Sequence, residues 1–386
     1  MTEARINRKG ADRVASGHPW IFRSDLLGAP DAQPGSVVRV LDGRNVRLGW
    51  AHYSSRSQIA LRMLPFETQR TDAGFLRRLI RRAQDYRDRV VENTDAYRVV
   101  HAEADQLPGL IVDRYGDWLV VQTLSQAMDG AQPALLDALQ ELFSPKGIVA
   151  RNDVSTRRHE GLEETKGALA GDVPEGVVVT MNGVRFAADL LQGQKTGLFL
   201  DQRENYAAAA CYARGNALDC FSYNGGFALH LAGACERVTA VDSSESALAI
   251  VQSNARLNDL HNIETRKAKA FDLLNDYAMG RKSFDTIVLD PPAFAKSRKH
   301  VEAAARAYKE INLKALKLLE RDGVLVTCSC SHHFSEADLL EAVAAAALDT
   351  GKRLRIIERR TQGRDHPIAL TIPETHYLKC LILQVM

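Results

Sequence analysis

The sequence from Ala217 to Ala232 reads Ala-Leu-Asp-Cys-Phe-Ser-Tyr-Asn-Gly-Gly-Phe-Ala-Leu-His-Leu-Ala. This pattern predicts a short apolar strand ending at Phe221, a tight polar turn and a helix that opens near Gly226. In an open α/β sheet, ligands bind where the carboxyl ends of strands meet the amino ends of helices. Two glycines allow a ligand to approach the backbone, and free N–H groups at the helix start can hold a carboxylate or a phosphate. The stretch therefore indicates a nucleotide-type site, although it lacks the G-x-G-x-x-G dinucleotide fingerprint.

Acidic residues accompany this turn on two predicted strands. Asp219 lies in the strand before the turn, and Asp242 ends the next strand, which begins at Arg237. An acid about 20 residues beyond such a turn usually accepts hydrogen bonds from ribose hydroxyls. The alternative is a strand, a turn and a helix with ordinary turn residues and no ligand. Motifs further along the chain weigh against that alternative.

Length and composition bound the class of protein. A chain of 386 residues predicts about two to three domains, and 45% apolar with 25% charged residues is typical of a soluble globular protein. There is no apolar run of about 18 residues and no apolar signal core near the N-terminus, so we expect a cytoplasmic location. The six cysteines show no framework spacing, which fits a reducing compartment. The net charge is only +2, but Arg and Lys exceed Asp and Glu within residues 1–70, which suggests an acidic partner.

The patterns of elements predict three domains. Residues 1–66 alternate strand-like runs with turns and predict a β-rich module. Residues 71–186 predict a central α+β domain whose last strand covers 177–186. Residues 189–386 alternate strands and helices, which is the pattern of a parallel α/β sheet. The strands predicted for this sheet cover 217–221, 237–242, 285–290, 323–330, 354–359 and 378–385.

An aromatic turn in the first module lies among basic residues. The turn is Gly17-His-Pro-Trp-Ile-Phe22, and the basic residues near it are Arg5, Arg8, Lys9, Arg13 and Arg23. Because arginines bind phosphates and aromatic rings stack on bases, this composition suits RNA. An aromatic core plug with solvated arginines is an equally good interpretation of the sequence alone.

A second candidate stretch is Phe284-Asp-Thr-Ile-Val-Leu-Asp-Pro-Pro-Ala-Phe294, an apolar strand that ends in Asp290 and a stiff Pro-Pro corner. The prolines fix the backbone, so Asp290 and Phe294 are expected over the mouth of the site. Asp290 can hydrogen-bond the edge of a base while Phe294 stacks on its face. The alternative is a loop acid followed by a structural turn.

A third stretch, from Val324 to His333, reads Val-Leu-Val-Thr-Cys-Ser-Cys-Ser-His-His. Cys328 and Cys330 face the same side of the predicted strand, and Cys330 lies nearer its end. A thiolate is a strong nucleophile. The two cysteines and two histidines are too crowded for a zinc pattern, so no metal is expected. A buried, inert cysteine pair is the other alternative.

The stretch before the sheet, Leu191-Gln-Gly-Gln-Lys-Thr-Gly-Leu-Phe-Leu-Asp-Gln-Arg203, also carries suitable side chains. It places Lys195 and Arg203 as partners for a ligand carboxylate. Phe199 would form an apolar wall beside them.

Four of these motifs together resemble a known family, the bacterial PUA-domain methyltransferases that methylate C5 of cytosine in 23S ribosomal RNA. The motifs are Asp-Cys-Phe-Ser-Tyr-Asn-Gly-Gly-Phe, Gly-Gln-Lys-Thr-Gly-Leu-Phe-Leu-Asp-Gln-Arg, Asp-Pro-Pro-Ala-Phe and Ser-Cys-Ser-His-His. The likeness covers nearly the whole chain: Gly-His-Pro-Trp-Ile-Phe looks like the PUA segment, residues 107–117 like the central hairpin, and Asp365-His-Pro with residues 373–379 like the C-terminal end. It implies a C-terminal class I (Rossmann-like) methyltransferase sheet, an N-terminal PUA module and a central α+β domain.

The resemblance also implies a cofactor, partners and roles for residues. The cofactor is S-adenosylmethionine and the partner is 23S ribosomal RNA, naked or partly assembled, with no membrane; the oligomeric state stays open, a homodimer included. The implied cofactor-binding residues are Lys195, Thr196, Phe199, Arg203, Asp219, Phe221, Ser222, Tyr223, Asn224, Gly225, Gly226, Asp242, Ser243, Ala270, Phe271, Asp290 and Pro291. Pro292 and Phe294 are implied for the substrate, and Cys330 and Asp290 for catalysis. The chain departs from the family at Lys269, where Asn or Asp is usual, so the adenine contact would depend on Ala270 and Phe271. Cys328 is likewise not a usual cysteine of the family.

The implied mechanism answers a chemical need, because C5 of cytosine is too weak a nucleophile to take a methyl group unaided. Attack of the Cys330 thiolate at C6 would make C5 enamine-like, and Asp290 would steady or protonate N3. The base that removes the C5 proton is not readable; His332 and His333 are candidates, or structural histidines. Two other functions stay open: an RNA methyltransferase acting on an exocyclic amine, and an RNA-binding protein with a vestigial cofactor pocket.

Overall fold

The computed structural model describes residues 2–65, 70–295 and 297–386. The chain divides into two compact units. The first comprises Met1–Val179, Ala188–Leu198 and Arg364–Thr375, and the second comprises Thr180–Ala187, Phe199–Gly363 and His376–Met386. The three domains inferred from the sequence were separated by element type, and their boundaries stay a prediction. The predicted boundary at residue 66 lies outside the described residues.

The first sheet is the expected β-rich module. Its elements are β1 (Glu3–Arg5), α1 (Arg8–Ala15), β2 (Trp20–Phe22), β3 (Val37–Leu41), β4 (Arg47–Tyr53) and β5 (Ile59–Met63). The strand order is β1-β3-β4-β5-β2, with β1 parallel to β3 and the other pairs antiparallel. Val38 and Val40 are buried while Arg39 between them is half-buried, because successive side chains of a strand point to opposite faces. The predicted alternation of short strands and turns is confirmed.

The second sheet lies in the same unit and carries three helices. The elements are α2 (Ala73–Val90), β6 (Ala96–His101), β7 (Leu110–Tyr115), β8 (Trp118–Thr123), α3 (Gln126–Gly130), α4 (Gln132–Phe143), β9 (Gly147–Arg151) and β10 (Lys166–Gly171). The strand order is β10-β9-β8-β7-β6. Asp72 begins α2 by accepting the N–H of Phe75 at 2.9 Å. The apolar face of α2 is buried at Phe75, Leu76, Leu79, Ile80 and Ala83.

The prediction of a single strand over residues 177–186 is wrong. The structure has two strands, β11 (Val177–Met181) and β12 (Val184–Ala188), which form a two-stranded sheet. Between them Asn182 and Gly183 adopt left-handed conformations, with φ of 52° and 83°. Asn-Gly is the pair of residues that favours such a tight turn, and it was overlooked inside an otherwise apolar run.

The second unit contains a seven-stranded sheet flanked by helices. Its elements are α5 (Arg203–Tyr212), β13 (Asn216–Cys220), α6 (Gly226–Leu231), β14 (Arg237–Asp242), α7 (Glu245–Leu257), β15 (Ile263–Lys267), α8 (Ala270–Met279), β16 (Phe284–Leu289), α9 (Val301–Leu318), β17 (Leu319–Ser329), α10 (Glu336–Asp349), β18 (Leu354–Arg360) and β19 (Lys379–Val385). The strand order is β15-β14-β13-β16-β17-β19-β18. Among the helices of the described residues, none is both long and apolar enough to cross a membrane.

This sheet corrects the prediction in two respects. It is mixed rather than parallel, because β19 runs antiparallel to both β17 and β18. The sequence interpretation also missed β15 and α8. Strand β15 reads Ile-Glu-Thr-Arg-Lys and lies at the edge of the sheet, where polar side chains remain exposed, so it lacks the apolar run of a central strand.

Candidate active site

The carboxyl ends of four adjacent parallel strands carry the polar residues singled out in the sequence. Strands β14, β13, β16 and β17 are neighbours in the sheet, and at or just beyond their ends lie Asp242, Asp219, Asp290 and Cys330. The register pairs Cys220 with Leu289, so Asp290 comes one residue beyond the last paired row. These residues lie at one edge of the sheet, as predicted, and this is the edge at which α/β sheets bind ligands.

The turn after β13 is held in an uncommon backbone conformation. Phe221, Tyr223 and Gly225 have φ of 66°, 49° and 87°. Bulky residues seldom adopt the left-handed region, and such residues cluster at ligand sites, where the surrounding structure fixes them. Strand β13 ends at Cys220, so Phe221 belongs to the turn and not to the strand as predicted.

Hydrogen bonds fix this turn from the neighbouring strand and helix. The N–H of Ser222 donates to the carbonyl oxygen of Val241 at 3.0 Å, and the N–H of Tyr223 donates to Oδ2 of Asp242 at 3.0 Å. The Nδ2 of Asn254 on α7 donates to the carbonyl oxygen of Asn224 at 3.1 Å. The turn is therefore preorganised by contacts within the second unit.

Asp219 is buried beneath the turn, and only one of its two carboxylate oxygens accepts hydrogen bonds from the described residues. Its Oδ2 accepts hydrogen bonds from Oγ of Ser222 at 2.6 Å and from the N–H of Ala228 at 3.0 Å. Its Oδ1 is buried and has no hydrogen-bond partner among the described residues. Burial raises the pKa of Asp219 to about 7, against the lowering effect of the bonds from Ser222 and Ala228. The negative charges of Asp290 and Asp242 raise this pKa further. Such a carboxylate would be stabilised by a positively charged ligand group.

Protein packing already requires the two glycines of the turn, and their predicted contact with a ligand stays a prediction. A Cβ on Gly226 would lie 2.4 Å from the ring of Tyr206, and Gly225 has a positive φ. The glycines thus make room for the side chain of Tyr206 and for the backbone turn. The helix start is also less open than expected, because α6 has six residues and the N–H of Ala228 already donates to Asp219.

Asp242 supports both the turn and the start of α7. Its Oδ2 accepts the N–H of Tyr223, and its Oδ1 accepts the N–H of Ser244 at 2.9 Å. Each carboxylate oxygen has about two acceptor positions, so both retain capacity for a further hydrogen bond. Ser243, the next residue, is exposed.

Asp290 has a partner that the sequence analysis missed. The Nε2 of Gln202 donates to Oδ2 of Asp290 at 3.0 Å, and Gln202 is only 2% exposed. Gln202 stands in the quoted Asp-Gln-Arg segment, but nothing in the sequence indicated that it would meet a residue 88 positions later. The Pro-Pro corner after Asp290 has Pro291 buried and Pro292 exposed.

The two cysteines of β17 and its following loop have different environments. Cys328 is fully buried and lies opposite Cys380 in the antiparallel register, and burial raises its pKa well above the ordinary value. Cys330 is half-buried and follows the strand, which ends at Ser329. Of the two thiols, Cys330 is therefore the accessible one. His332 and His333, which follow it, are both exposed.

The loops after β16 and β17 are joined. The N–H of Ala295 donates to Oγ of Ser331 at 3.2 Å. Phe294 contacts Phe271 and Tyr308, with ring centroids 6.1 Å and 4.7 Å away, and all three are associated with the core of the second unit. Phe294 is half-buried, and its contact with a base stays a prediction.

The remaining predicted cofactor residues divide between the two units. In the second unit, Phe199 packs edge-on against Tyr223 with centroids 5.3 Å apart, and Arg203 is buried at the start of α5. In the first unit, Lys195 is exposed, and the buried Thr196 donates to Oδ2 of Asp113 at 2.7 Å.

The start of α8 shows what the unusual Lys269 changes. Lys269 occupies the N-cap position, and its side chain makes no capping hydrogen bond. Asn or Asp would accept a backbone N–H there, which a lysine cannot do. Ala270 is buried and Phe271 is half-buried beside it.

Two family models match the chain. One, described as a PUA-like domain, matches residues 4–66, and the other, described as an S-adenosylmethionine-dependent methyltransferase, matches residues 98–374. The crystal structure of SMU.776 complexed with SAH superposes with a TM-score of 0.87 over 100% of both chains, at 18% sequence identity. The fold class inferred from the sequence is confirmed.

Curated relatives match over nearly the whole length. Ribosomal RNA large subunit methyltransferase I of Tolumonas auensis is 41% identical, covering 96% of each chain. The protein of the same name from Pseudoalteromonas atlantica is 40% identical over 96% of this chain and 95% of its own. The one from Yersinia pestis is 38% identical over 100% of both chains. This chain belongs to the family of S-adenosylmethionine-dependent methyltransferases that includes ribosomal RNA large subunit methyltransferase I.

Proposed function

We propose that this chain transfers a methyl group from S-adenosylmethionine to C5 of a cytosine in 23S ribosomal RNA, through a covalent bond between Cys330 and C6 of the base. The observation that carries the proposal is the position of Cys330, a half-buried thiol just beyond β17. Strand β16, which pairs with β17, leads to Asp290. An exocyclic amine has its own lone pair and needs no thiol, whereas C5 needs a nucleophile at C6. The names of the relatives supply the class of RNA.

The residues around the turn after β13 fit S-adenosylmethionine. The buried Oδ1 of Asp219, which lacks a partner among the residues described, would accept a hydrogen bond from the ammonium of the methionine part. Asp242 would accept the ribose hydroxyls with its remaining acceptor capacity. Ala270 and Phe271 would contact the adenine. Bound there, the cofactor supplies an electrophilic methyl group.

The remaining chemistry belongs to Cys330 and Asp290. The Cys330 thiolate forms the bond to C6, and the electron pair of the C5–C6 double bond moves through the ring toward N3. Asp290 gives a proton to N3, so C5 becomes an enamine-like carbon that can take up the methyl group. Loss of the C5 proton to a base and return of the N3 proton to Asp290 then restore the double bond. Cys330 leaves as the thiolate.

The N-terminal module would provide contacts to RNA. Some of its basic residues are engaged by other protein groups, and others are exposed. Arg13 pairs with Asp25 at 2.5 Å and covers the ring of Phe22, and Arg23 donates to backbone carbonyls of the loop 54–57. Arg5, Arg8 and Lys9 are exposed. Phosphate contacts are therefore assigned to these three residues.

Bisulfite sequencing tests the proposal most directly, because 5-methylcytosine resists deamination. Ribosomal RNA from a strain lacking the gene should show one cytosine in 23S RNA that has become sensitive, and the purified protein with S-adenosylmethionine should restore its resistance. Mapping of the methyl group to an exocyclic amine would replace this proposal with the N-methyltransferase alternative. Cofactor binding without transfer to any RNA would favour the binding protein.

A further inference from the structure

The side chain of Asp290 stands at the end of a chain of buried amides whose orientation can be deduced. Gln202 donates to Asp290, and Nδ2 of Asn205 donates to Oε1 of Gln202 at 2.6 Å. Nε of Arg360 donates to Oδ1 of Asn205 at 3.0 Å. Gln202 and Asn205 are 2% and 0% exposed, so water does not compete with these bonds.

The direction of every bond in this chain follows from Arg360. A guanidinium can only donate, so the atom of Asn205 that faces it must be the oxygen. The amide nitrogen of Asn205 then faces Gln202 and also donates to the carbonyl oxygen of Thr361 at 3.1 Å. Because Oε1 of Gln202 accepts that bond, its Nε2 faces Asp290. Oδ2 of Asp290 is therefore required to accept.

The far end of the chain is anchored as well. Arg360 pairs with Oε2 of Glu358 at 2.5 Å, and Oε1 of Glu358 accepts the hydroxyl of Tyr212 at 2.7 Å. Both oxygens of Glu358 are thus engaged, which holds the guanidinium in place. Reversal of the two amides would place Oε1 of Gln202 against Oδ2 of Asp290. It would also place Nδ2 of Asn205 against the guanidinium of Arg360.

We infer that Gln202 is a positioning residue that fixes which oxygen of Asp290 carries the catalytic proton: Oδ2 accepts from Gln202, and the proton is held on Oδ1 for N3 of the cytosine. This inference rests on the proposed function of Asp290. The better acceptor of a carboxylic acid is its carbonyl oxygen, so a donor fixed at Oδ2 directs the proton to Oδ1. When Oδ1 gives that proton to N3, the Gln202 N–H stabilises the resulting carboxylate.

The same arrangement favours cytosine over uracil. N3 of cytosine is an acceptor and matches a donating Oδ1, whereas N3 of uracil carries a hydrogen that would face it. A carboxyl group free to rotate could present either oxygen in either form. Gln202 removes that freedom, and Asn205 and Arg360 keep Gln202 itself from flipping.

Two substitutions of Gln202 test the inference in the full-length protein. Gln202→Met removes the donor and keeps the length, and Gln202→Glu keeps the shape but places an oxygen against Asp290. Each should lower the single-turnover rate of methyl transfer by about 10- to 100-fold, the effect of removing one hydrogen bond to a charged group. Trapping of the protein on RNA that contains 5-fluorocytosine should slow by the same factor, and affinity for S-adenosylmethionine should not change.

Gln252→Met is the matched control, because Gln252 is exposed on α7 and its side chain bonds Thr265, away from Asp290. It should leave the rate and the melting temperature unchanged. Asn205→Asp is the second variant in case both changes at Gln202 prevent folding. It keeps the bond to Arg360 but removes the donor to Oε1 of Gln202, so the rate should fall in the same direction.

A double-mutant cycle separates positioning from a merely structural role. In the Asp290→Asn background, Gln202→Met should cause no further loss, since Gln202 acts through Asp290. Two outcomes would overturn this inference and leave the proposed function standing. One is that the rate losses of the two single variants multiply in the double variant. The other is that Gln202→Met has the normal rate while Asp290→Asn is slow. If Asp290→Asn has the normal rate while Cys330→Ala has none, the role proposed for Asp290 is wrong and the inference falls with it.

Discussion

Lys379 donates a hydrogen bond from its Nζ to the carbonyl oxygen of Ser331, 2.7 Å away, beside the nucleophile proposed at Cys330. A second bond, of 3.0 Å, runs to the carbonyl oxygen of Tyr377, and Lys379 is only 3% exposed. Burial lowers the pKa of Lys379 to about 8, whereas the negative charge of the Cys330 thiolate raises it. The ammonium and the thiolate therefore stabilise each other.

Lys379→Met should slow the alkylation of Cys330 by iodoacetamide, on the order of tenfold near neutral pH. The difference should shrink as the pH rises through about 8, because the wild-type lysine then loses its own proton. Peptide mass spectrometry would follow Cys330 separately from the exposed Cys211. Lys379→Arg keeps the charge and should react like the wild type; an equal loss in both variants would mean that charge is not the cause.

Asp219 should make cofactor binding depend on pH. Its pKa is raised to about 7 by burial, so below that value the proton must leave before the carboxylate can pair with the methionine ammonium. Affinity should rise up to about tenfold per unit as the pH increases toward 7, and level off above it. Calorimetry between roughly pH 5.5 and 7, below the titration of the ligand's own amine, would measure this.

The isosteric Asp219→Asn protein provides the control for this dependence. Its amide oxygen can still accept from Ser222 and Ala228, so the turn should survive the change. Affinity in this variant should be low and independent of pH over the same range. The same slope in both proteins would assign the titration to another group.

Asp242→Ala should weaken S-adenosylmethionine binding by about 1–3 kcal/mol, the cost of removing hydrogen bonds to a buried ligand. The change also removes the acceptor for the N–H of Tyr223, so the turn itself should loosen. Calorimetry on this variant and on Asp276→Ala, an exposed acid of α8, measures the difference. Equal affinities would exclude Asp242 from the site.

The parts of the site that could be predicted are those that local sequence determines. Asp290 and Cys330 each stand at the end of a predicted strand. The direction of the strand alone therefore places their side chains at the edge of the sheet. Gln202 and Lys379 could not be recognised, since they reach the site through long-range packing. Lys379 arrives on the antiparallel strand β19, whose direction the alternating pattern did not reveal.

Gly226 shows a different limit of prediction. The glycine predicts a close approach to the backbone, and the structure shows that one group making it is the ring of Tyr206, 20 positions earlier. A sequence shows that space is needed, and only the packed structure shows what fills it. The polar edge strand β15 was missed for a related reason, because an exposed strand has no apolar signature.

RNA affinity should depend on salt through the exposed residues Arg5, Arg8 and Lys9. Replacing all three with Gln should reduce the slope of log affinity against log salt by about 0.7 for each phosphate that the protein no longer neutralises. Deletion of the module is a poorer test, because Trp50 packs into the core of the second sheet and Trp20 bonds Glu103. The control replaces three exposed basic residues of the second unit, Arg321, Arg353 and Arg355. A reduction in the control alone would place the RNA elsewhere.

The two cysteines of β17 and its loop discriminate between the chemical alternatives. Cys330→Ala should abolish methyl transfer and leave the affinity for S-adenosylmethionine almost unchanged, since the thiol acts only on the base. Cys328→Ala should keep most of the activity, because Cys328 is fully buried and its raised pKa keeps it as an inert thiol. RNA with 5-fluorocytosine at the target should trap the wild-type and Cys328→Ala proteins covalently, because fluorine cannot leave as a proton does. Full activity of Cys330→Ala without a trapped adduct would rule out attack at C6 and favour transfer to an exocyclic amine.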